Sequence, residues 1–240
     1  MTKINVQHLA SGVILAASCV MAGVGHTQDA TVLFGGIDGR EKSYYSYLGV
    51  REHLNGDIAS DGILLRALGA YGEYDYRSAA VAGGKVNADV ATFDAMIGYQ
   101  KGLDDIFLRG YVGFDYEDHD LSPKNPYDSN RGSDVGVKVQ GELETGYTSE
   151  YYASVIGSYG TAKDRYWARL RGGYNFDGYI LGPEALVTGT HESDEQRIGA
   201  FMTLTNLGQV GLSVSTGYSD TSDRRGGSSW YGTLELSTRF

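Results

Sequence analysis

The sequence predicts an all-β chain: a single antiparallel transmembrane β-barrel of about 12 strands, preceded by a cleaved signal peptide. Three observations carry that expectation. Apolar and polar residues alternate through most of the chain, which puts successive strand side chains on opposite faces. The 240 residues include 35 Gly and 19 Tyr but only 3 Pro, against a typical glycine share of about 7 %, and this composition favours strands joined by turns over helices. The last strand alternates up to an aromatic terminal residue, Phe240, as bacterial outer-membrane barrels do.

Residues 1–25 read as the export signal. Lys3 gives a weakly positive start, and Leu9 to Gly25 is uncharged and mostly apolar or small. So short a stretch at the start of a chain suits a secretory signal better than a spanning helix. The single cysteine, Cys19, lies inside it. In Leu15-Ala16-Ala17-Ser18-Cys19 the leucine stands one place too far upstream for a lipidation box, so the mature domain, 26–240, is expected to carry no thiol. No run of about 20 apolar residues follows, which excludes a helical membrane protein.

Taken in order, the strands are expected at 31–37, at 43–54 with Tyr45 and Tyr47 turned inward, and at 61–76 with Arg66 inward. The fourth, 84–100, ends near Tyr99. In the fifth, 105–117, Ile106, Leu108, Val112, Phe114 and Tyr116 alternate with Arg109, Asp115 and Glu117. In the sixth, 133–147, Val135, Val137, Val139 and Leu143 oppose Lys138, Gln140, Glu142 and Glu144. Next come 150–160 and 163–177, the latter with Tyr166, Ala168, Leu170 and Tyr174 against Arg165, Trp167, Arg169 and Arg171. The remaining strands are 179–190, 194–205, 209–219 and 228–240. In the last, Trp230, Leu234, Leu236 and Phe240 oppose Tyr231, Thr233, Glu235 and Arg239. Pro183 falls inside 179–190 and removes a ladder donor, so that strand is expected to start after it or to bulge.

A soluble sandwich also alternates, so the connections matter. Long or polar loops (77–83, 119–132, 220–227) alternate with short turns (148–149, 177–178, 206–208). With both termini periplasmic, this is the barrel rule of short inner turns and longer outer loops. Tyr99, Tyr116, Tyr147, Tyr174 and Tyr218 sit where interfacial girdles belong.

Formal net charge is −10 and no basic stripe is present, so a nucleic-acid partner is set aside. The barrel would contact outer-membrane lipid. Its inward parity gathers Arg66, Arg109, Arg165, Arg169, Arg171 and Arg197 with Glu142, Glu144 and Glu184. Such charges must pair to be tolerated inside. With Trp167 and Tyr111 they are the candidate lumen residues, either a structural salt-bridge network or a polar surface on which sugar rings stack.

Other chemistry is weakly supported. Asp118, His119, Asp120 and Ser122 suggest a serine hydrolase, but neighbours on one loop seldom converge as a triad must. Asp128, Asn130, Gly132 and Asp134 alternate like calcium ligands, yet Val139 stands where the bidentate Glu belongs. No phosphate-binding, dinucleotide, zinc or nucleophile-elbow motif is present, and no cofactor is expected.

Asp61-Gly62-Ile63-Leu64-Leu65-Arg66, Leu121-Ser122-Pro123-Lys124-Asn125-Pro126 leading into Gly132, the 166–174 strand, and Gly182-Pro183-Glu184 leading on to Arg197-Ile198-Gly199-Ala200-Phe201 resemble the cellulose biosynthesis protein BcsS family. Their order and spacing carry the likeness, which covers essentially the whole mature chain. The resemblance implies a non-enzymatic outer-membrane accessory of cellulose production, helping export or surface retention of the glucan alongside other cellulose-synthesis components. It implies no catalytic residue. A hydrolase acting on lipid or glycan is the alternative.

Overall fold

The computed structural model describes residues 29–221 and 227–240; the expected signal peptide and Cys19 lie outside them. The strands are β1 (Thr31–Arg40), β2 (Ser43–His53), β3 (Gly62–Arg77), β4 (Lys85–Leu103), β5 (Ile106–Ser122), β6 (Gly132–Thr145), β7 (Tyr151–Gly160), β8 (Arg165–Asn175), β9 (Tyr179–Thr190), β10 (Ser193–Leu204), β11 (Val210–Thr221) and β12 (Ser229–Arg239). Each pairs antiparallel with its chain neighbours, and β1 closes on β12. Every edge is thereby paired, as a sheet in lipid requires. No described helix is long and apolar enough to cross a membrane.

Alternation decides which way each side chain points. Leu170, Ile198, Ile97, Val112 and Leu234 point outward, and the first two are 54 % and 70 % exposed. An apolar band of this kind is the lipid-contacting surface of a transmembrane barrel. Aromatic rings bound it at both ends. Near the chain termini Tyr151, Tyr174, Phe176 and Tyr179 pack in series; at the far end Tyr44 lies against Tyr71 and Tyr218 against Trp230. Inside, glycines make room for rings: a Cβ on Gly98 would overlap Tyr111, and one on Gly49 would overlap Phe34.

The structure corrects four expectations. Strand β5 runs on to Ser122, pairing with β4 well past residue 117, so the long loop narrows to 123–131. Tyr147 belongs to no girdle: β6 ends at Thr145, and the Tyr147 ring stacks on the inward Tyr152 at 5.4 Å. Pro183 neither starts β9 nor makes a bulge. It pairs with Ala200 of β10, and β8–β9 pairing is interrupted between Arg171↔Glu184 and Tyr174↔Leu181 without a change of register. The missing N–H falls in that gap. Finally, loop length does not alternate throughout, since residues 54–61 form a long connection at the termini end and residues 41–42 a tight one at the far end.

Candidate functional site

A cavity of about 1190 Å³ runs along the interior and touches residues of both mouths. All the sequence-predicted arginines and glutamates reach the lumen side, because parity along a strand cannot change without a bulge. Apart from Tyr111, which is buried against Leu64 and Met96, the candidates line this cavity.

Their charges are paired. Arg109 reaches Glu142 at 3.2 Å and Glu144 at 3.1 Å, and its Nε donates to Gln100 at 2.7 Å. Glu144 also accepts from Tyr152 and Tyr147. Arg171 holds Glu184 at 2.5 Å and Glu235 at 2.7 Å. Arg66 pairs with Asp94, which Lys138 reaches from the other side. Arg165 pairs with Glu117, and Arg197 with Asp38 and Glu195. Among the described residues, each arginine facing the lumen between the mouths has an acidic partner. Pairing of this kind offsets a desolvation cost that would otherwise run to several kcal/mol per ion.

One connection crosses the barrel. The Tyr47 hydroxyl donates to Glu235 Oε1 at 2.7 Å, and Arg169 Nη1 donates to the same oxygen at 2.8 Å. Tyr47 is on β2 and Arg169 on β8, six places apart in a ring of twelve strands and so facing each other. Phenol, carboxylate and guanidinium therefore span the lumen. Arg51 of β2 makes a second, shorter chord to Glu142 of β6 at 3.5 Å.

A loop reaches into or across each mouth. At the termini end the 54–61 loop turns inward. Ile58 and Ala59 line the cavity, and the buried Gln100 donates to the carbonyls of Ile58 and Ser60 at 2.9 Å. Ile58 N donates to Asp29 O at 3.0 Å. At the far end the 123–131 loop lies across the opening as a strap. Tyr76 of β3 donates to Asp128, and Asn125 reaches Tyr76 and Ser78. On the opposite side Asn130 donates to Thr190 at 3.2 Å and Ser129 to Glu192 at 2.6 Å. Strands β3 and β9 also face each other, so the strap is tied at both ends of a diameter.

Sequence reasoning missed Glu235, Asp38, Glu195, Glu117, Asp94, Lys138 and Arg51 as lumen partners. Glu235, Glu117 and Lys138 stood on faces already recognised as polar, so their parity was the available signal. Asp38 lay one residue beyond the expected end of the first strand.

The hydrolase pattern does not assemble. His119 faces inward and both ring nitrogens are engaged: Nε2 with the Glu117 carboxylate at 2.5 Å, Nδ1 with the Tyr74 hydroxyl at 3.0 Å. Ser122, three residues along the same strand, has the opposite parity. The alternating loop oxygens also diverge. Asp128 accepts from Tyr76 and from Asn130 N, whereas Asp134 accepts from Val135 N and Lys163 N.

A family model described as cellulose biosynthesis protein BcsS matches residues 32–240. No curated protein matches the sequence significantly. Among solved structures the chain is similar to an outer-membrane channel from Pseudomonas putida F1 (TM-score 0.58, 14% identity, 91% of this chain and 97% of that one). It is also similar to the transport unit of the autotransporter AIDA-I from Escherichia coli (0.51, 9%, 97% and 97%) and to the KdgM porin (0.50, 10%, 87% and 99%). At these identities the likeness is one of fold, the fold of outer-membrane barrels.

Proposed function

Because the chain belongs to the cellulose biosynthesis protein BcsS family, we propose that it is a non-enzymatic outer-membrane accessory that holds the exported glucan at the cell surface. Export through a cleaved signal peptide would bring it there, with both termini in the periplasm. The carrying observation is the Tyr47–Glu235–Arg169 bridge. A conduit for a polymer needs an unobstructed bore, whereas this bore is spanned by side chains and crossed by a loop at the far mouth, which favours retention over passage. Paired arginines suit a neutral ligand, since each is already matched by a carboxylate of the wall and none is left to capture an anion. The non-enzymatic reading is supported by the carboxylates themselves: Glu117, Asp94, Glu142, Glu184 and Glu235 are each tied to a cation, so none is poised as a general acid or base.

The test is deletion of the gene, with cell-bound and released cellulose measured separately. Loss of the bound fraction is expected. Complementation with Trp167→Ala should restore barrel abundance without fully restoring attachment. If deletion leaves both the amount and the attachment of cellulose unchanged, the reading is wrong.

A further inference from the structure

The lumen is not uniform along its length. On the termini side of the bridge its wall carries the buried ion pairs of Arg109, Arg171 and Glu184, and the cavity continues past them to the turn residues Tyr147, Asn206 and Gln209. On the far side, between bridge and strap, the cavity wall carries Trp167, Tyr45, Ser158 and Arg165. Along their strands Tyr45 and Trp167 lie two residues and Arg165 four residues beyond the bridge, and Ser158 is directly opposite Trp167. Trp167 is half-buried, and the Arg169 guanidinium sits 5.4 Å from its ring centre, stiffening it. Arg165, though paired with Glu117, keeps 29% of its side chain exposed, more than any other ion-paired lumen arginine.

We propose that this far chamber binds the end of a neutral β-linked glucan, entered past the strap and stopped by the bridge. The inference rests on the glucan-retention reading and adds where and how the chain is gripped. A glucose ring with equatorial hydroxyls has two apolar faces and a polar rim. An indole offers a flat apolar partner for the face, while Arg165 and Ser158 offer hydrogen-bonding groups for the rim. Because the nearby cations Arg165 and Lys138 are neutralised by Glu117 and Asp94, an anionic sugar gains nothing there. The strap is held at a few side-chain hydrogen bonds, so it can yield to an incoming chain end without disturbing the strand ladder.

The experiment uses the full-length chain in detergent micelles. The protein has 2 Trp, Trp167 and the outward Trp230, so Trp230→Phe leaves Trp167 as the only indole reporter. Cellohexaose should produce a saturable fluorescence change and α-linked maltohexaose should not. In the otherwise natural chain, calorimetry with cellohexaose should show about tenfold weaker binding for Trp167→Leu and a severalfold loss for Ser158→Ala, which removes only a hydroxyl and keeps the barrel testable if the tryptophan variant fails to assemble. Loosening the strap with Asn130→Ala should speed association. Absence of a saturable response in both the tied and the loosened forms overturns the chamber, as does unchanged affinity in Ser158→Ala together with any assembled Trp167→Leu. If cell-bound cellulose still falls on gene deletion while cellohexaose binding is absent, the retention reading survives and only the chamber is lost.

Discussion

The two halves of the lumen are closed by different physics. Toward the termini, side chains of the strands themselves narrow the bore: Arg109, Arg171, Glu184, Glu235 and the buried Phe201 meet there in ion pairs and ring contacts, including the Arg171 guanidinium 5.0 Å from the Phe201 ring centre. Toward the far end, a loop is laid across the opening and tied at points. The first kind is inseparable from the fold, because removing one partner leaves a charge stranded. The second can be undone while the barrel stays intact.

Breaking the ion-paired half should have the largest effect. Arg171→Leu leaves Glu184 without its cation, while Glu235 keeps Arg169, and losing one member of a buried pair costs about 3–5 kcal/mol. The expected result is a lowered temperature at which the folded, fast-migrating band on a gel gives way to the unfolded one. Adding Glu184→Leu should recover part of the loss, since a pair replaced by apolar groups no longer strands a charge; no recovery would show that the stranded Glu184 is not the source of the loss.

One residue away the same strand meets lipid, and the contrast sharpens the assignment. Leu170→Arg should cost about 2–4 kcal/mol if the side chain faces hydrocarbon near mid-depth. It should act on membrane assembly and leave the lumen ion pairs alone. A silent Leu170→Arg beside a ruinous Arg171→Leu would mean that the outer face at this level is not in the membrane.

The smallest effect belongs to the strap. Asn130→Ala removes a hydrogen bond to Thr190 worth about 0.5–1.5 kcal/mol, and barrel stability should barely change. In planar bilayers the variant should flicker open more often at the far mouth, while mean conductance stays low because the Tyr47–Glu235–Arg169 bridge is untouched. A large, steady conductance would mean that the strap alone was the barrier.

Much of the fold was legible in the residues. Period-two alternation from Leu212 to Tyr218 and from Trp230 to Phe240 states which face is apolar, and one bulge-free register then carries that choice to every strand. Inward placement of Arg109, Arg169 and Glu142 followed from the same parity. Strand ends were less legible. Residues 118–122 look polar enough for a loop, yet they pair with 87–91, because Val86, Ala88 and Leu121 pack under Tyr76 into a small core that local pattern does not reveal.

What the sequence by itself determined is the periodicity, and through it the two faces: a side chain's side of the sheet is a local property, set by its position along an extended backbone. What only the tertiary structure decided is who meets whom across the bore. Tyr47 and Arg169 are more than a hundred residues apart, and they share Glu235 because a ring of twelve strands sets β2 opposite β8. Closing the sheet on itself creates that proximity, so no shorter stretch of sequence could have contained it.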